Sequence, residues 1–462
     1  MMSRIYRTIE AAQDKPGSGI LVFYGEAGLG KTSLLLSVKE KYPFSKYYQA
    51  IPASSVQQAV FMQEALFATS NLTVDAANAA LGANVYDRIF DHIAKERTLG
   101  KRQILIFDEF DYLLKADDLF MTSLQKLLSG AFGRNEFLVI LCTSSLGFVA
   151  GTMSKKMGRS ALLIQGLLKV KEFSFSQMSQ MAGDLSYTEQ FYRYALMGGR
   201  PFPYQVSMRY STMRDMIIGM FLQNDGLFYD YGIRYISEHL REPGVYATIL
   251  YLIANGHTKL NDLYLLSGFS RAKISVYLKN LIELDLVEKV YSYDASPRDD
   301  SLKGVYRICN PMVNFWYRFI YARKNQLQVM QLDAFFDEYI MNELSEYLEF
   351  YYAQIASQMI LEGRIAAASS VKKCDEWVGK SGDIPIIASP EQGGGRFGAD
   401  TICAFTSRTA MIDEAFLTEC SQRLKKASLK PKTVILFTEA GVKPDIKISM
   451  PRCNVVITGI LG

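Results

Sequence analysis

Residues 19–36 read GILVFYGEAGLGKTSLLL, an apolar run followed by a glycine-rich turn and a second apolar run. The turn, residues 25–32, fits the spacing GxxxxGK[ST] at every position. Glycines let a backbone wrap so that successive N–H groups point at phosphate oxygens, and the N-terminus of the following helix adds its positive dipole end. The stretch therefore predicts a phosphate-binding loop between a buried strand and a helix.

Two side chains of this loop are expected to bind the nucleotide directly. Lys31 would reach the β- and γ-phosphates, and Thr32 would ligate Mg²⁺. The other expected nucleotide contacts come from the loop and the start of the helix, namely Gly25, Glu26, Ala27, Gly28, Leu29, Gly30 and Ser33.

An acidic pair follows another apolar run, ILIFDEFD at residues 104–111. The run predicts a buried strand with Asp108 and Glu109 at its C-terminal end, where α/β sheets bind ligands. Asp108 is suited to hold Mg²⁺ through water or through Thr32. Glu109 is placed to polarise the attacking water as a general base. Asp111 is better suited to cap the following helix than to bind a ligand.

Residues 136–145, EFLVILCTSS, predict a further strand that ends in hydroxyl groups. Thr143 or Ser144 could contact the γ-phosphate or the attacking water; capping of the strand end is the structural alternative. Arg159 follows in a basic segment and could reach the γ-phosphate from this chain or from a neighbouring one. An ordinary basic surface cluster is the alternative for Arg159. The strands expected for a mostly parallel sheet are residues 19–24, 46–51, 104–108, 137–142 and 167–173.

Composition restricts the class of protein. The 462 residues suit about two to four domains, and the net charge of +4 permits a nucleic-acid partner without requiring one. The six cysteines form no CxxC pair and there are three histidines, so a zinc site is not expected and the thiols are expected to be reduced. The first residues contain no apolar leader, and the most apolar run is too interrupted to span a membrane. We expect a soluble cytoplasmic protein with no membrane partner.

Residues 241–308 show three helical patterns followed by two strands around a polar loop. In the third helix, one face carries the apolar residues, and these are Ile274, Tyr277, Leu278, Leu281 and Ile282. A helix–turn–helix followed by a hairpin is the winged-helix plan, with residues 270–283 as the recognition helix.

Two functions remain open for this winged helix. Duplex DNA could be bound by Arg271, Lys273 and Lys279 of the recognition helix, with Arg298 and Lys303 from the wing. Protein docking, or a lid role, is the alternative. Charge does not decide between them, because nearby acidic residues almost balance the basic ones. These acidic residues are Asp262, Glu283, Asp285, Glu288, Asp299 and Asp300.

The two Walker motifs, the hydroxyl-ended strand, Gly158-Arg159 and the sequence GGRP at 198–201 resemble those of archaeal-type P-loop ATPases, a group within the AAA+-like and STAND-like NTPases. The resemblance implies ATP as the nucleotide. It also implies a series of modules: a P-loop ATPase core (1–204), a helical lid (205–240), the winged helix (241–308), an aromatic and helical connector (309–345) and a nuclease-like domain (346–462).

The resemblance gives residues 346–462 the PD-(D/E)xK nuclease fold. Active nucleases of this type need an acidic residue at the end of one strand and an acidic-x-Lys sequence on the next, because these groups hold a divalent metal. This chain has Ile384-Pro385 and Ile402-Cys403-Ala404 at those places, with Asp383 and Asp400 nearby. We therefore expect a nuclease-like domain without cleavage chemistry.

These patterns predict a multidomain α/β protein with a P-loop parallel sheet, a helical lid, a winged helix and a C-terminal restriction-endonuclease-like α/β domain. The expected function is a Mg²⁺-dependent ATP-binding and ATP-hydrolysing switch that couples its nucleotide state, ATP or ADP, to duplex DNA. The alternative is a nucleotide-gated regulator that docks a protein partner and has no DNA role. An Arg159 that acted on a neighbouring chain would require an oligomer.

Overall fold

The chain divides into two units, Met1–Glu172 and Phe173–Gly462. Their structure is known from a computed structural model. The residues that it describes are 2–67, 84–96, 102–116, 118–132, 136–295, 304–379, 382–389, 401–450 and 453–460. No helix in these segments combines the length and the apolar character needed to cross a lipid bilayer.

The N-terminal unit contains a parallel sheet of five strands with the spatial order β2-β3-β4-β1-β5. These strands are β1 (Gly19–Tyr24), β2 (Lys46–Gln49), β3 (Gln103–Asp108), β4 (Phe137–Thr143) and β5 (Ile164–Lys169). The helices described in this unit are Met2–Gln13, Lys31–Lys41, Ser55–Phe67, Asp87–Lys95, Asp111–Ala116, Leu119–Leu128, Leu146–Gly151 and Met153–Met157, followed by a 3₁₀ helix at Gly158–Leu163. Parallel neighbours require crossover connections, so helices cover both faces of the sheet.

Strand β3 shows how the sequence assigns side chains to the two faces. Successive side chains of a strand point to opposite faces. Leu105 and Phe107 belong to the apolar cluster that contains helices Asp87–Lys95 and Leu119–Leu128. Ile104 and Ile106 belong to the cluster that contains helices Met2–Gln13 and Lys31–Lys41. Asp108 follows the same alternation and therefore points to the face covered by helix Lys31–Lys41.

The second unit begins with helices and contains a two-stranded antiparallel hairpin, β6 (Val287–Tyr291) and β7 (Gly304–Ile308). Its α-helices before the hairpin are Phe175–Ser179, Tyr187–Met197, Pro201–Ser207, Met213–Ile217, Tyr231–His239, Pro243–Ala254, Leu260–Ser267 and Arg271–Glu283, with a π-helical turn at Ile218–Leu222. After the hairpin come helices Pro311–Phe315, Lys324–Val329, Leu332–Tyr339 and Met341–Leu361, with a π-helical turn at Trp316–Ile320. Short 3₁₀ turns lie at Tyr321–Arg323 and Ala366–Ala368.

A second five-stranded sheet, in the order β12-β11-β10-β9-β8, closes the chain. Its strands are β8 (Lys373–Trp377), β9 (Ile384–Ser389), β10 (Ile402–Ser407), β11 (Thr433–Thr438) and β12 (Asn454–Thr458), with helix Glu414–Lys426 between β10 and β11. Strand β9 is antiparallel to both neighbours, whereas β10, β11 and β12 are parallel.

The two faces of this C-terminal sheet are both buried. Ala404 and Ile435 point into the cluster that contains helix Met341–Leu361. Cys403 and Val434 point into the cluster that contains helix Glu414–Lys426. Because each face packs on a helix, the domain has three layers, α/β/α.

The predicted fold class is confirmed for the parallel N-terminal sheet and for the separate C-terminal sheet domain. Three details of the prediction were wrong. Strand β2 ends at Gln49, and β5 begins at Ile164, where it pairs with Ile20 of β1. In the predicted recognition helix the buried stripe is narrower than expected, since Ile282 is 37% exposed.

Trp316, in the π-helical turn Trp316–Ile320, is the largest fully buried side chain among the described residues of the second unit. Its indole N–H donates a hydrogen bond to the carbonyl oxygen of Tyr229 at 2.9 Å. Gly232 packs against the face of this ring so closely that an added Cβ atom would lie 2.2 Å from the Trp316 ring. The glycine is therefore required by close packing of two helical segments.

Gly232→Ala should destabilise the protein by about 1–3 kcal/mol, because a methyl group has no room beside the indole. The measurement is urea-induced unfolding followed by tryptophan fluorescence. Gly244→Ala is the matched control, since an added Cβ there meets no heavy atom within 4 Å. Alanine is favoured over glycine in a helix by up to about 1 kcal/mol, so the control should be neutral or stabilising. Equal losses in both variants would contradict the packing argument.

Candidate nucleotide-binding site

The glycine-rich loop between β1 and helix Lys31–Lys41 has the backbone shape that its glycines were expected to provide. Gly28 and Gly30 have φ values of 82° and 79°, in the left-handed region that glycine adopts without a steric penalty. Added Cβ atoms at these two residues would meet open space within 4 Å. At Gly25 a Cβ would lie 2.5 Å from the carbonyl oxygen of Val170. The loop is therefore closely packed at Gly25, whereas at Gly28 and Gly30 it faces open space.

Lys31 lies across this loop. It is 5% exposed, and its ammonium group donates a hydrogen bond to the carbonyl oxygen of Glu26 at 2.7 Å. Burial lowers the pKa of Lys31, while the acidic groups around it, including Glu109 and Asp108, act in the opposite direction. The helix that starts at Lys31 has no acidic residue in its first turn. Its N-terminus and the lysine together form a site for an anion such as a phosphate group.

Asp108 connects the end of β3 to this helix. The carboxylate is fully buried. Its Oδ2 atom accepts a hydrogen bond from the hydroxyl of Thr32 at 2.7 Å, and its Oδ1 atom accepts one from the backbone N–H of Glu109 at 3.0 Å. A hydroxyl and a carboxylate are the hard oxygen donors that Mg²⁺ prefers, and Mg²⁺ takes its other ligands from water and substrate phosphates. The donor set at the foot of the open loop fits this ion.

Glu109 is held by the end of β4. Its φ of 49° lies in the left-handed region, which is uncommon for a residue with a side chain. Its Oε2 atom accepts the backbone N–H of Ser144 at 2.9 Å, and its Oε1 atom accepts the Ser144 hydroxyl. Both carboxylate oxygens are therefore oriented by one residue of the neighbouring strand.

Thr143 points away from Glu109. It is fully buried, and its hydroxyl donates to Oδ1 of Asp111 at 2.6 Å and accepts the N–H of Ser145 at 3.0 Å. The other carboxylate oxygen of Asp111 is paired with Lys115 at 2.6 Å. Two hydroxyls were expected near the γ-phosphate. The Ser144 hydroxyl bonds to Glu109, whereas the Thr143 hydroxyl bonds to Asp111.

The remaining expected residues differ in their exposure to solvent. Glu26 and Leu29 are buried in the loop, whereas Ala27 and Ser33 are exposed. Arg159 is exposed in the 3₁₀ helix Gly158–Leu163, and its role as a finger stays a prediction.

Two residues near the site were missed in the sequence. The hydroxyl of Tyr47, on β2, donates to Oδ2 of Asp108 at 3.2 Å. The thiol of Cys142, on β4, is buried beside the same carboxylate, and burial followed by the Asp108 charge raises its pKa. Neither belongs to a motif. Strand alternation was the available signal, since it places Tyr47, Asp108 and Cys142 on the face covered by helix Lys31–Lys41.

The sequence GGRP at 198–201 forms a tight corner in the second unit. Gly198 ends helix Tyr187–Met197 with a φ of 65°, and Pro201 begins helix Pro201–Ser207. A Cβ atom on Gly199 would lie 1.8 Å from the carbonyl oxygen of Phe173. The glycines of this segment are therefore needed for a close approach of two backbone segments.

The predicted recognition helix places its cations outward. Arg271 lies over the ring of Tyr264, 4.9 Å from its centre, and donates to Oδ1 of Asn261 at 2.7 Å. Lys273 lies 5.0 Å from the centre of the Phe269 ring. Lys279 is 3.8 Å from the Glu283 carboxylate. Arg298 and Lys303, with Asp299 and Asp300, fall outside the residues that the structure describes.

The same domain exposes apolar side chains. Leu265 is 65% exposed, Leu266 is 54% exposed and Val276, on the recognition helix, is 57% exposed. Exposed apolar clusters on a folded domain are typical of contact surfaces.

In the C-terminal sheet, the positions that the resemblance matched to nuclease metal ligands hold buried apolar residues. Ile384, Cys403 and Ala404 are each fully buried. Asp383 accepts the N–H of Gly379 at 3.0 Å, and Asp400 falls outside the described residues. Within the described segments, no group of three or more His, Cys, Asp or Glu side chains is arranged to hold a metal ion.

Residues 6–203 match the model of a protein family described as an ATPase domain predominantly from Archaea. This part of the chain is similar to that ATPase domain. The resemblance drawn from the motifs is thereby confirmed. Residues 316–397 match a second family, described as archaeal and bacterial proteins of unknown function.

One curated protein and two solved structures illustrate the similarity. An uncharacterized protein of Methanocaldococcus jannaschii is 24% identical over 377 residues, which covers 80% of this chain and 79% of that protein. The Walker-type ATPase of Pyrococcus abyssi has a TM-score of 0.49 and 16% identity, covering 69% of this chain and 94% of its own. The Aeropyrum pernix ORC2 protein, solved as ADPNP–ADP complexes, has a TM-score of 0.43 and 15% identity. The match covers 71% of this chain and 92% of that chain.

The different partners of Thr143 and Ser144 can be tested by two variants. Thr143→Val should destabilise the protein by about 1–3 kcal/mol, because it leaves a buried Asp111 oxygen without its hydroxyl donor. Ser144→Ala should change stability by less and should alter ATP turnover, because it releases one oxygen of Glu109. Urea unfolding and phosphate release measure the two effects. A turnover defect of the same size in both variants would contradict this division.

Proposed function

We propose that this protein is a Mg²⁺-dependent ATPase whose chemistry takes place at the ends of β1, β3 and β4. The observation that carries the proposal is the Asp108–Thr32 hydrogen bond of 2.7 Å, which joins the acidic strand end to the helix that follows the glycine-rich loop. It brings the two expected metal ligands together beside Lys31 and Glu109.

Each residue then has a defined task. The loop N–H groups and Lys31 bind the β- and γ-phosphates, and Lys31 exchanges its hydrogen bond with Glu26 for one to a phosphate oxygen. Thr32, and Asp108 through water, would hold Mg²⁺, which would supply positive charge beside the phosphate oxygens. Glu109 accepts a proton from the attacking water, and Ser144 holds its carboxylate in position.

We further propose that nucleotide state is coupled to duplex DNA through the winged helix. Support comes from the outward placement of Arg271, Lys273 and Lys279 on helix Arg271–Glu283. A recognition helix in the major groove uses such side chains on phosphates and base edges. In this proposal residues 1–204 form the ATPase core, 205–240 the lid, 241–308 the DNA-binding module and 309–345 the connector.

A protein-docking function is the second candidate. The exposure of Leu265, Leu266 and Val276 favours it, because apolar side chains add little to binding a charged phosphate backbone and much to a protein interface. In that case the same module would present an apolar patch to a partner when ATP is bound.

For residues 346–462 we propose a nuclease-like domain that does not cleave. Buried Ile384 and Ala404 support this, since neither can ligate a metal ion. The free cysteines fit a reducing, cytoplasmic setting. An oligomer is needed if Arg159 acts on a neighbouring site.

Glu109→Gln should lower ATP turnover by at least about 100-fold, because an amide cannot accept the proton of the attacking water. ATP binding should be retained, since the loop, Lys31 and Thr32 are unchanged. Phosphate release and binding of a fluorescent ATP analogue measure the two effects, with and without duplex DNA. Glu40→Gln, an exposed carboxylate on helix Lys31–Lys41, is the matched control. Unchanged turnover in Glu109→Gln would reject Glu109 as the base.

The DNA role predicts a second result. Replacing Arg271, Lys273 and Lys279 by alanine should weaken duplex binding and reduce the slope of log affinity against log salt by about 1 for each lost phosphate contact. Fluorescence anisotropy over a salt series measures both. Lys39→Ala, an exposed lysine of the ATPase core, should leave the slope unchanged. The protein-docking function is preferred if the wild-type protein binds no duplex at low salt. It is also preferred if the triple variant binds duplex DNA with the same affinity as wild type.

A further inference from the structure

Strand β2 carries two adjacent tyrosines that point to opposite faces of the sheet. Tyr48 points into the cluster formed with helix Ser55–Phe67, where its hydroxyl bonds Gln58. Tyr47 points to the other face, where it packs on the cluster that contains helix Lys31–Lys41. The two residues therefore sit in the same strand in different surroundings.

The register between β2 and β3 places Tyr47 next to the metal-binding carboxylate. Tyr47 is opposite Ile106 and Gln49 is opposite Asp108. Tyr47 is thus the diagonal neighbour of Asp108 on the same face, a separation that a long aromatic side chain can bridge. Its hydroxyl reaches Oδ2 of Asp108 at 3.2 Å.

Asp108 is surrounded by hydrogen-bond donors. Oδ2 receives the hydroxyls of Thr32 and Tyr47, and Oδ1 receives the N–H of Glu109. A fully buried carboxylate needs donors of this kind in place of water. Because three donors come from three different elements, they also fix the rotation of the carboxylate.

The Tyr47 hydroxyl acts as a donor to Asp108. A tyrosine phenol ordinarily carries its proton at physiological pH. Phenylalanine would fill the same space against the helix. What the hydroxyl adds at this place is its bond to Oδ2 of Asp108.

We propose that Tyr47 is a positioning residue for the metal–nucleotide site: its phenol holds Asp108 in the orientation in which this carboxylate and Thr32 together receive Mg²⁺ with ATP. The inference rests on the proposed ATPase function. It assigns a role to a residue of β2 that lies outside both nucleotide-binding motifs. Partners that orient a metal ligand commonly change metal affinity by about 10- to 100-fold when they are removed.

The test compares Tyr47→Phe with Tyr48→Phe in the full chain. Each variant removes one phenolic hydroxyl from β2, on opposite faces, so Tyr48→Phe controls for the loss of a hydrogen bond in this strand. Mn²⁺ serves as the probe ion, and its binding to protein loaded with a non-hydrolysable ATP analogue is followed by electron paramagnetic resonance. We expect the Mn²⁺ dissociation constant to rise about tenfold in Tyr47→Phe and to stay within about twofold in Tyr48→Phe.

Two further readouts separate positioning from general damage. Affinity for the ATP analogue in EDTA should be the same in wild type and Tyr47→Phe, because the phosphate loop is untouched. In phosphate release, the Mg²⁺ concentration for half-maximal rate should rise in Tyr47→Phe, while the rate at saturating Mg²⁺ should stay close to that of wild type. A structural defect would instead lower analogue binding in EDTA.

The outcomes distinguish the inference from the proposed function. Equal Mn²⁺ affinities in wild type and Tyr47→Phe would overturn the role of Tyr47 and leave the ATPase proposal standing. Equal losses in Tyr47→Phe and Tyr48→Phe would also overturn it. A wild-type protein that binds neither the analogue nor Mn²⁺ would overturn both. A selective loss in Tyr47→Phe supports the inference even if turnover is slow.

Discussion

The hydrogen bond between Thr32 and the buried carboxylate of Asp108 is the contact on which the nucleotide site depends. It joins the first turn of helix Lys31–Lys41 to the end of β3. A buried carboxylate without hydrogen-bond donors would destabilise the folded protein by several kcal/mol. Hydroxyl and N–H groups therefore have to surround the carboxylate at this position. The same hydrogen bonds fix the orientation of the Asp108 carboxylate, and an oriented carboxylate is suited to help hold Mg²⁺.

Sheet topology explains how residues from distant parts of the sequence meet there. Strand β1 lies between β4 and β5, and all neighbours are parallel, so the carboxyl ends of β1, β3 and β4 share one edge. The phosphate loop, the acidic pair and Ser144 follow these ends directly. The alternation of side chains along β3 points Asp108 toward helix Lys31–Lys41. Glu109 lies just beyond the strand, has a left-handed backbone conformation, and accepts a hydrogen bond from Ser144.

Residues that belong to a spaced motif were predictable, and residues that act through a neighbouring strand were not. Lys31, Thr32 and Asp108 could be assigned because the glycine spacing and the apolar runs fix their place on the sheet. Tyr47 could not, since β2 is four residues long and its register against β3 is set by packing. The choice between Thr143 and Ser144 needed the structure too, because adjacent residues at a strand end differ only in the face to which they point.

The winged helix exposes both cations suited to phosphate groups and apolar side chains suited to a protein partner. Counting charges in the sequence could not decide between these two kinds of contact. Its outward cations are partly engaged within the domain: Arg271 stacks on Tyr264 and bonds Asn261, and Lys279 lies near Glu283. Phosphate groups would have to replace these contacts, which reduces the net gain per cation. Leu265 and Val276, by contrast, expose apolar surface that a partner of complementary shape could bury. A domain with this surface would bind DNA strongly only where shape and charge act together, and it would bind a protein only where an apolar surface covered the exposed leucine and valine side chains.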